Sequence, residues 1–121
     1  MGGLVANNLH HKNWKIKKAI YIGSPLHGAK IINWIEKHIP IWYMYENKAH
    51  VYLKNKQKEN EPNHPYHTIS CSWLNNDFDG CVYKDETMLS LKNHSHLNFS
   101  DHRLCYLDFR LWLLIKNILS N

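Results

Sequence analysis

Two stretches of the chain are rich in apolar and β-branched residues without a regular alternation. Residues 16–23 contain the unbroken run Ala19-Ile20-Tyr21-Ile22, and residues 67–74 read HTISCSWL. Such segments are typical of strands buried on both faces of a parallel sheet. A weaker alternation at residues 94–99 (HSHLNF) predicts a short third strand. We therefore predict two inner strands and one short one.

Three other segments have apolar residues at the three-to-four spacing of helices. Residues 2–11 follow this spacing, as do residues 27–38, which stop before Pro40. Residues 101–121 begin with Asp101, a candidate helix cap, and continue with leucines and isoleucines at helical spacing. Strands that alternate with helices predict an α/β fold with a mostly parallel sheet flanked by helices.

The segment 41–66 fits neither pattern. It begins with an aromatic cluster and passes into a polar run at residues 54–63. We predict a partly mobile insertion or lid over the carboxyl edge of the sheet, rather than a linker between domains. Residues 1–121 are then one partial α/β domain.

Composition and charge narrow the classes of function. The chain has 121 residues, of which 44% are hydrophobic, as expected for a globular domain. Its net charge is +5, but the lysines are scattered as on solvated faces, so we predict no nucleic-acid partner. The longest apolar stretch, 111–119, is too short to span a bilayer. No signal peptide is visible, and the compartment is left as cytoplasmic by default.

The three cysteines form no CxxC pair, and their odd number argues against a disulfide framework. Cys71 and Cys105 lie in apolar runs, so we predict that both are small buried residues.

Candidate chemistry collects where the predicted strands end, because functional groups of parallel α/β sheets lie at the carboxyl ends of the strands. Asp79 follows the strand 67–74, and Asp77 is its rival as a catalytic acid. A partner base could come from several histidines: His94, His96, His102 and, less plausibly, His67. Position alone leaves these alternatives open.

The start of the chain is similar to a known motif. Met1-Gly2-Gly3-Leu4-Val5-Ala6 resembles the second half of the nucleophile elbow G-H-S-M-G-G-L-V-A of α/β-hydrolase esterases and lipases. Further segments resemble the same superfamily in the same chain order: Gly23-Ser24-Pro25-Leu26-His27-Gly28, Asp79-Gly80-Cys81-Val82, Glu86-Thr87-Met88-Leu89, Asn93-His94 and Asp108-Phe109-Arg110-Leu111.

This resemblance implies the C-terminal half of an α/β-hydrolase fold and a Ser-Asp-His triad. Asp79 would be the acid and His102 the base, with His96 as runner-up and His94 as a structural residue. The serine would lie just upstream of Met1, whose backbone N–H would belong to the oxyanion hole. The implied activity is carboxylic-ester hydrolysis, on a small ester or lipid-like substrate.

The chain departs from the family, since it contains no G-x-S-x-G motif. The family's upstream strands and the H-G loop that supplies the second oxyanion donor are also absent from it. We therefore expect the chain alone to be inactive, because it lacks the nucleophile. The alternative hypothesis is a non-catalytic remnant or interaction fragment. We also expect possible self-association through the edge of the strand at 16–23, which would lack its neighbour.

A metal site is the remaining possibility from the histidines. His94, His96 and His102, or His64 with His67, could bind zinc, but their spacing matches no closed zinc site. The triad already accounts for His102, so we predict no metal and no cofactor.

Overall fold

The computed structural model describes residues 2–10, 15–39, 48–54 and 61–121. Its helices and strands follow in the order α1 (Gly2–His10), β1 (Ala19–Ile22), α2 (Ile31–His38), α3 (Lys48–Lys54), β2 (Tyr66–Ser72), α4 (Lys84–Thr87), β3 (His94–Asn98), a 3-10 turn (Leu104–Leu107) and α5 (Phe109–Ser120).

The three strands form one parallel sheet in the order β1-β2-β3. Ala19 pairs with Tyr66 in the first ladder, and Thr68 pairs with His94 in the second. The predicted α/β class with a parallel sheet flanked by helices is therefore confirmed, and the three predicted strands are all present. The first two strands end one to two residues earlier than predicted, at Ile22 and at Ser72.

One face of the sheet packs against α1. Tyr21 of β1 is 2% exposed and lies in a cluster with Leu4 of α1, Leu26, Tyr66 and Leu89. Side chains of a strand alternate between faces, so this cluster uses only every second residue of β1.

The opposite face packs against α5. Ile69 of β2 lies in a second core cluster with Leu111 and Ile118 of α5, and Ile20 and Ile22 of β1 pack against it. Because Ile20 and Ile22 are only partly buried, the expectation of a strand buried on both faces is met by β2 and not fully by β1. The reason is position: β1 is an outer strand of the described sheet.

The terminal helix begins later than predicted. α5 starts at Phe109 instead of residue 101, and its cap is Asp108, whose carboxylate accepts the backbone N–H of Arg110 at 2.9 Å. Asp101 caps the preceding 3-10 turn instead, because its Oδ1 accepts the N–H of Arg103 and of Leu104. Two aspartates of equal capping ability thus divide one helical pattern into a turn and a helix.

The predicted helix at 27–38 also starts later, at Ile31, because residues 24–28 turn tightly after β1. Within the predicted insertion 41–66, the structure describes α3 and residues 61–66, and Tyr66 already belongs to β2. Residues 41–47 and 55–60 lie outside the described residues, as does Met1. None of the helices described is long and apolar enough to cross a membrane.

Candidate active site

Asp79 is a buried carboxylate in the loop that follows β2. Its side chain is 2% exposed. Its Oδ1 accepts the backbone N–H of Cys81 at 2.8 Å and that of Val82 at 2.7 Å. Gly80 has φ of 98°, a conformation that glycine adopts without strain, and this turn brings both N–H groups to the same oxygen. The second oxygen, Oδ2, therefore has a fixed direction.

His102 lies at that second oxygen. Its Nδ1–H donates to Asp79 Oδ2 at 2.7 Å, and its backbone N–H donates to the carbonyl oxygen of Asp79 at 2.9 Å. The hydrogen bond to the Asp79 carboxylate raises the pKa of His102, and partial burial opposes this shift. The paired contacts hold both the position of the residue and the plane of its ring.

The turn before His102 is held by α5. Phe99 has φ of 60°, which is unusual for a residue with a bulky side chain. The backbone N–H of Ser100 donates to Ser72 O at 2.8 Å, and Arg110 Nη2 donates to the carbonyl oxygen of Asn98 at 2.9 Å. Asp108 in turn accepts from Arg110 Nη2. The start of α5 thus fixes the turn that delivers His102.

Gly23, at the end of β1, borders the pair directly. A Cβ atom at this position would lie 3.2 Å from His102 Nδ1 and 3.5 Å from Asp79 Oδ2, and the residue has φ of 51°. Both facts favour glycine, so the approach of β1 to the Asp–His pair depends on the absence of a side chain here.

The other ring nitrogen of His102, Nε2, has no hydrogen-bond partner among the described residues. The imidazole lines a cleft of about 540 Å³ that runs along the outer edge of β1, with Gly3, Ser24 and Tyr106 among its walls. The side chain of His102 is 35% exposed. A neutral His102 therefore presents a basic nitrogen to solvent while its opposite side is bound to a carboxylate.

His94 and His96, two of the other candidate bases, do not contact Asp79. Their side chains lie on one face of the sheet, beside hydroxyl side chains of β2. His94 Nδ1 is 2.8 Å from Thr68 Oγ1, and its Nε2 is 3.0 Å from Ser70 Oγ. His96 Nδ1 is 2.6 Å from Ser70 Oγ, and its Nε2 contacts both Ser72 Oγ at 3.1 Å and a backbone carbonyl. Burial lowers the pKa of His94 to about 4. Both residues thus use both ring nitrogens within the sheet.

The remaining rivals have other partners. His67 Nε2 contacts Ser95 Oγ at 2.9 Å on the opposite face of the sheet, and burial lowers its pKa. Asp77 is exposed, and it contributes its carbonyl oxygen to the N–H of Lys84 at 2.7 Å. Of the predicted acids and bases, the structure brings together Asp79 and His102; their catalytic role stays a prediction.

One residue of this region has a role that the sequence did not indicate. Glu86 is 2% exposed, and its carboxylate accepts the backbone N–H of Lys30 and that of Tyr83. It thereby joins the start of α2 to the loop that carries Asp79. The only sequence signal is its place after Tyr83, where a glutamate three residues after a helix cap suits a capping box.

The cysteines agree with the expectation. Cys71 is 1% exposed and Cys105 is 2% exposed, so the prediction that both are buried is confirmed. Cys105 Sγ lies 3.5 Å from the carbonyl oxygen of His102, next to the pair but not between its atoms. Among the described residues, no group of three histidine, cysteine or acidic side chains could hold a metal ion.

Comparisons with known proteins add no assignment. No family model matches the chain, and neither the curated proteins nor the solved structures contain a significant match to it.

Proposed function

We propose that this chain is the acid–base part of a serine-type carboxylic-ester hydrolase of the α/β-hydrolase kind. Asp79 orients His102, and His102 Nε2 takes the proton from a serine hydroxyl that lies outside the 121 residues. The observation that carries the proposal is the 2.7 Å hydrogen bond from His102 Nδ1 to the buried Asp79 carboxylate, at the carboxyl edge of a parallel sheet.

The chemistry follows from the two environments of the imidazole. An Nδ1–H bound to a carboxylate leaves the lone pair on Nε2, which is the tautomer a general base requires. When Nε2 accepts a proton, the ring becomes positively charged, and the Asp79 carboxylate stabilises that charge. The same stabilisation of the charged imidazole by the carboxylate raises the pKa of His102.

The fold supports the family assignment at a coarse level. The strands are parallel and neighbours in chain order, with the acid after β2 and the base after β3. This is the acid-then-histidine order of α/β-hydrolase enzymes. The cleft that His102 lines runs along the outer edge of β1, which is where the substrate and a nucleophile would have to meet.

The test adds a serine ahead of Met1. A designed β-strand that ends in Gly-His-Ser is joined to Met1, and hydrolysis of p-nitrophenyl acetate and labelling by a fluorophosphonate are measured. We expect both to appear in this extended chain and to vanish when its new serine is replaced by alanine. The unextended chain and its Ser24→Ala variant are the controls, since Ser24 shares the cleft with His102. Labelling of the unextended chain that Ser24→Ala removes would overturn the proposal.

A second candidate is a binding fragment without hydrolase activity. It is favoured by the outer edge of β1, which pairs with no other strand of the described sheet and is lined by an open cleft. Such an edge offers free N–H and C=O groups to another chain, including a second copy. Size-exclusion chromatography over a concentration series tests this use of the edge. A dimer that the added strand abolishes would show that the contact lies at the β1 edge and would favour the binding fragment, whereas a dimer that persists, or a monomer at every concentration, would count against it.

A further inference from the structure

A second cleft lies on the far side of the Asp79 loop. It has a volume of about 430 Å³ and lies between the start of α2 and residues 78–83. Among the described residues, its walls are mostly apolar and aromatic: Lys30, Ile31, Trp34, Phe78 and Tyr83. Clefts that hold small molecules have about 300–1,000 Å³ and walls of this composition. The cleft is therefore large enough for a ligand of one or two rings.

The aromatic walls are fixed by contacts within the protein. The rings of Phe78 and Tyr83 pack against each other at the two ends of their loop. Their centroids are 4.5 Å apart, and the angle between the ring planes is 32°. Glu86 accepts the backbone N–H of Tyr83 and also that of Lys30, so one buried carboxylate joins both sides of the cleft. A site whose walls are held in place loses little entropy when a ligand binds.

Trp34 is the most exposed of the aromatic walls. Its side chain is 58% exposed although tryptophan is among the most apolar residues by area. His38, one helical turn later, stacks on it with centroids 4.6 Å apart, and its Nδ1 contacts the carbonyl oxygen of Trp34 at 2.8 Å. The stack holds the indole on the surface of α2 instead of letting it fold against the core.

The charge at the rim is balanced. Lys30 Nζ lies 5.5 Å from the centroid of the Tyr83 ring and forms an ion pair with Asp85 at 2.5 Å. The hydrogen bond to Asp85 raises the pKa of Lys30, so the ammonium is charged. An ionised ligand would have to compete with this pair, whereas an uncharged ring would not.

We propose that this cleft is a binding site for an uncharged aromatic ligand, stacked between Trp34 and the Phe78–Tyr83 pair. The proposal concerns binding alone and does not depend on the chemistry of Asp79 and His102. Its failure would leave the proposed hydrolase function untouched, and the reverse also holds.

The test is isothermal titration calorimetry of the 121-residue chain with 2-naphthol as the probe and 2-naphthoate as its ionised counterpart. We expect saturable binding of 2-naphthol and binding of 2-naphthoate that is weaker by about tenfold. Trp34→Ala should weaken 2-naphthol binding by about tenfold, and Trp34→Phe by no more than about threefold.

Trp112→Ala is the matched control, because Trp112 is 57% exposed on α5 and does not line the cleft. It should change the affinity by less than about twofold. Urea unfolding of each variant shows whether the fold is intact. Absence of saturable binding, an equal effect of the two tryptophan substitutions, or tighter binding of 2-naphthoate would each overturn the proposal. A large loss of stability in Trp34→Ala would also overturn it, because the indole would then pack against the protein itself.

Discussion

The histidines of this chain fall in two regions with opposite chemistry. On the shared face of β2 and β3, His94 and His96 each contact hydroxyl groups through both ring nitrogens. At the carboxyl edge of the sheet, His102 binds a buried carboxylate through Nδ1, and its imidazole lines an open cleft. The pKa of His94 is lowered to about 4 by burial, and that of His102 is raised by its carboxylate.

The two regions differ in whether the partners of the imidazole can compensate a positive charge. Serine and threonine hydroxyls satisfy a neutral imidazole but do not compensate a positive charge, so burial keeps His94 neutral. A carboxylate does compensate the charge, so His102 can gain and lose a proton without disrupting its surroundings. Hydrogen-bond partners, and not proximity in sequence, separate a structural histidine from a candidate base.

The largest effect is expected on turnover. In the chain extended by a strand ending in Gly-His-Ser, His102→Ala should reduce p-nitrophenyl acetate hydrolysis by about three orders of magnitude or more, because the base is lost. His94→Ala should leave turnover within about tenfold. If His96→Ala instead abolishes p-nitrophenyl acetate hydrolysis, His102 is not the base.

The next effect is on stability at acidic pH. The unfolded chain takes a proton on His94 near pH 6.5, whereas the folded chain does so only near pH 4. The unfolded state therefore binds more protons between these values, and the free energy of unfolding falls as pH decreases through this window. Because His94 is only partly buried and solvent screens part of the effect, we expect a loss of roughly 2–3 kcal/mol from this residue, measured by urea unfolding at a series of pH values.

His94→Gln serves as the control for that series. Glutamine can contact the same hydroxyls but does not titrate, so its stability should fall less steeply between pH 6.5 and pH 4. An identical slope in the two proteins would show that His94 is not the source of the pH dependence.

A smaller effect is expected at the cap of α5. Asp108→Ala removes the acceptor for the N–H of Arg110 and the partner that holds its guanidinium. Loss of a helix cap costs about 1–2 kcal/mol. Thermal unfolding should show this loss, with Asp101→Ala, which removes the cap of the 3-10 turn, as the comparison. If Asp108→Ala were as stable as the unmodified chain, the contacts between Asp108 and Arg110 would not be what holds the turn before His102.

Sequence patterns were sufficient for the strands and insufficient for the exact start of α5. Segments without a regular polar–apolar alternation locate inner strands because helices cover both faces of a parallel sheet, and six of the seven residues of β2 are buried. The start of α5 depends on two competing caps, Asp101 and Asp108, and local propensity does not distinguish them.

The candidate site, like the fold, was predicted only in part from the sequence. Position at the strand ends was enough to name Asp79, Asp77 and several histidines, and the resemblance to hydrolase segments selected Asp79 and His102. The resemblance included Glu86 but gave it no role, and the sequence alone did not indicate its contacts, because its partners are backbone N–H groups that every residue carries. It also did not indicate the aromatic cleft, because Trp34 and Tyr83 come from segments about fifty residues apart.

The most direct test of the Asp79–His102 pair is an NMR titration of the histidine Cε1 protons in the 121-residue chain, with His102→Gln used to assign the resonance. We expect His102 to titrate above 6.5, and this value to fall to 6.5 or below in Asp79→Asn, because the charged acceptor is gone while the partial burial remains. His94 should titrate near 4 in both proteins. A His102 that titrates at or below 6.5 in the unmodified chain, or that does not respond to Asp79→Asn, would contradict the account.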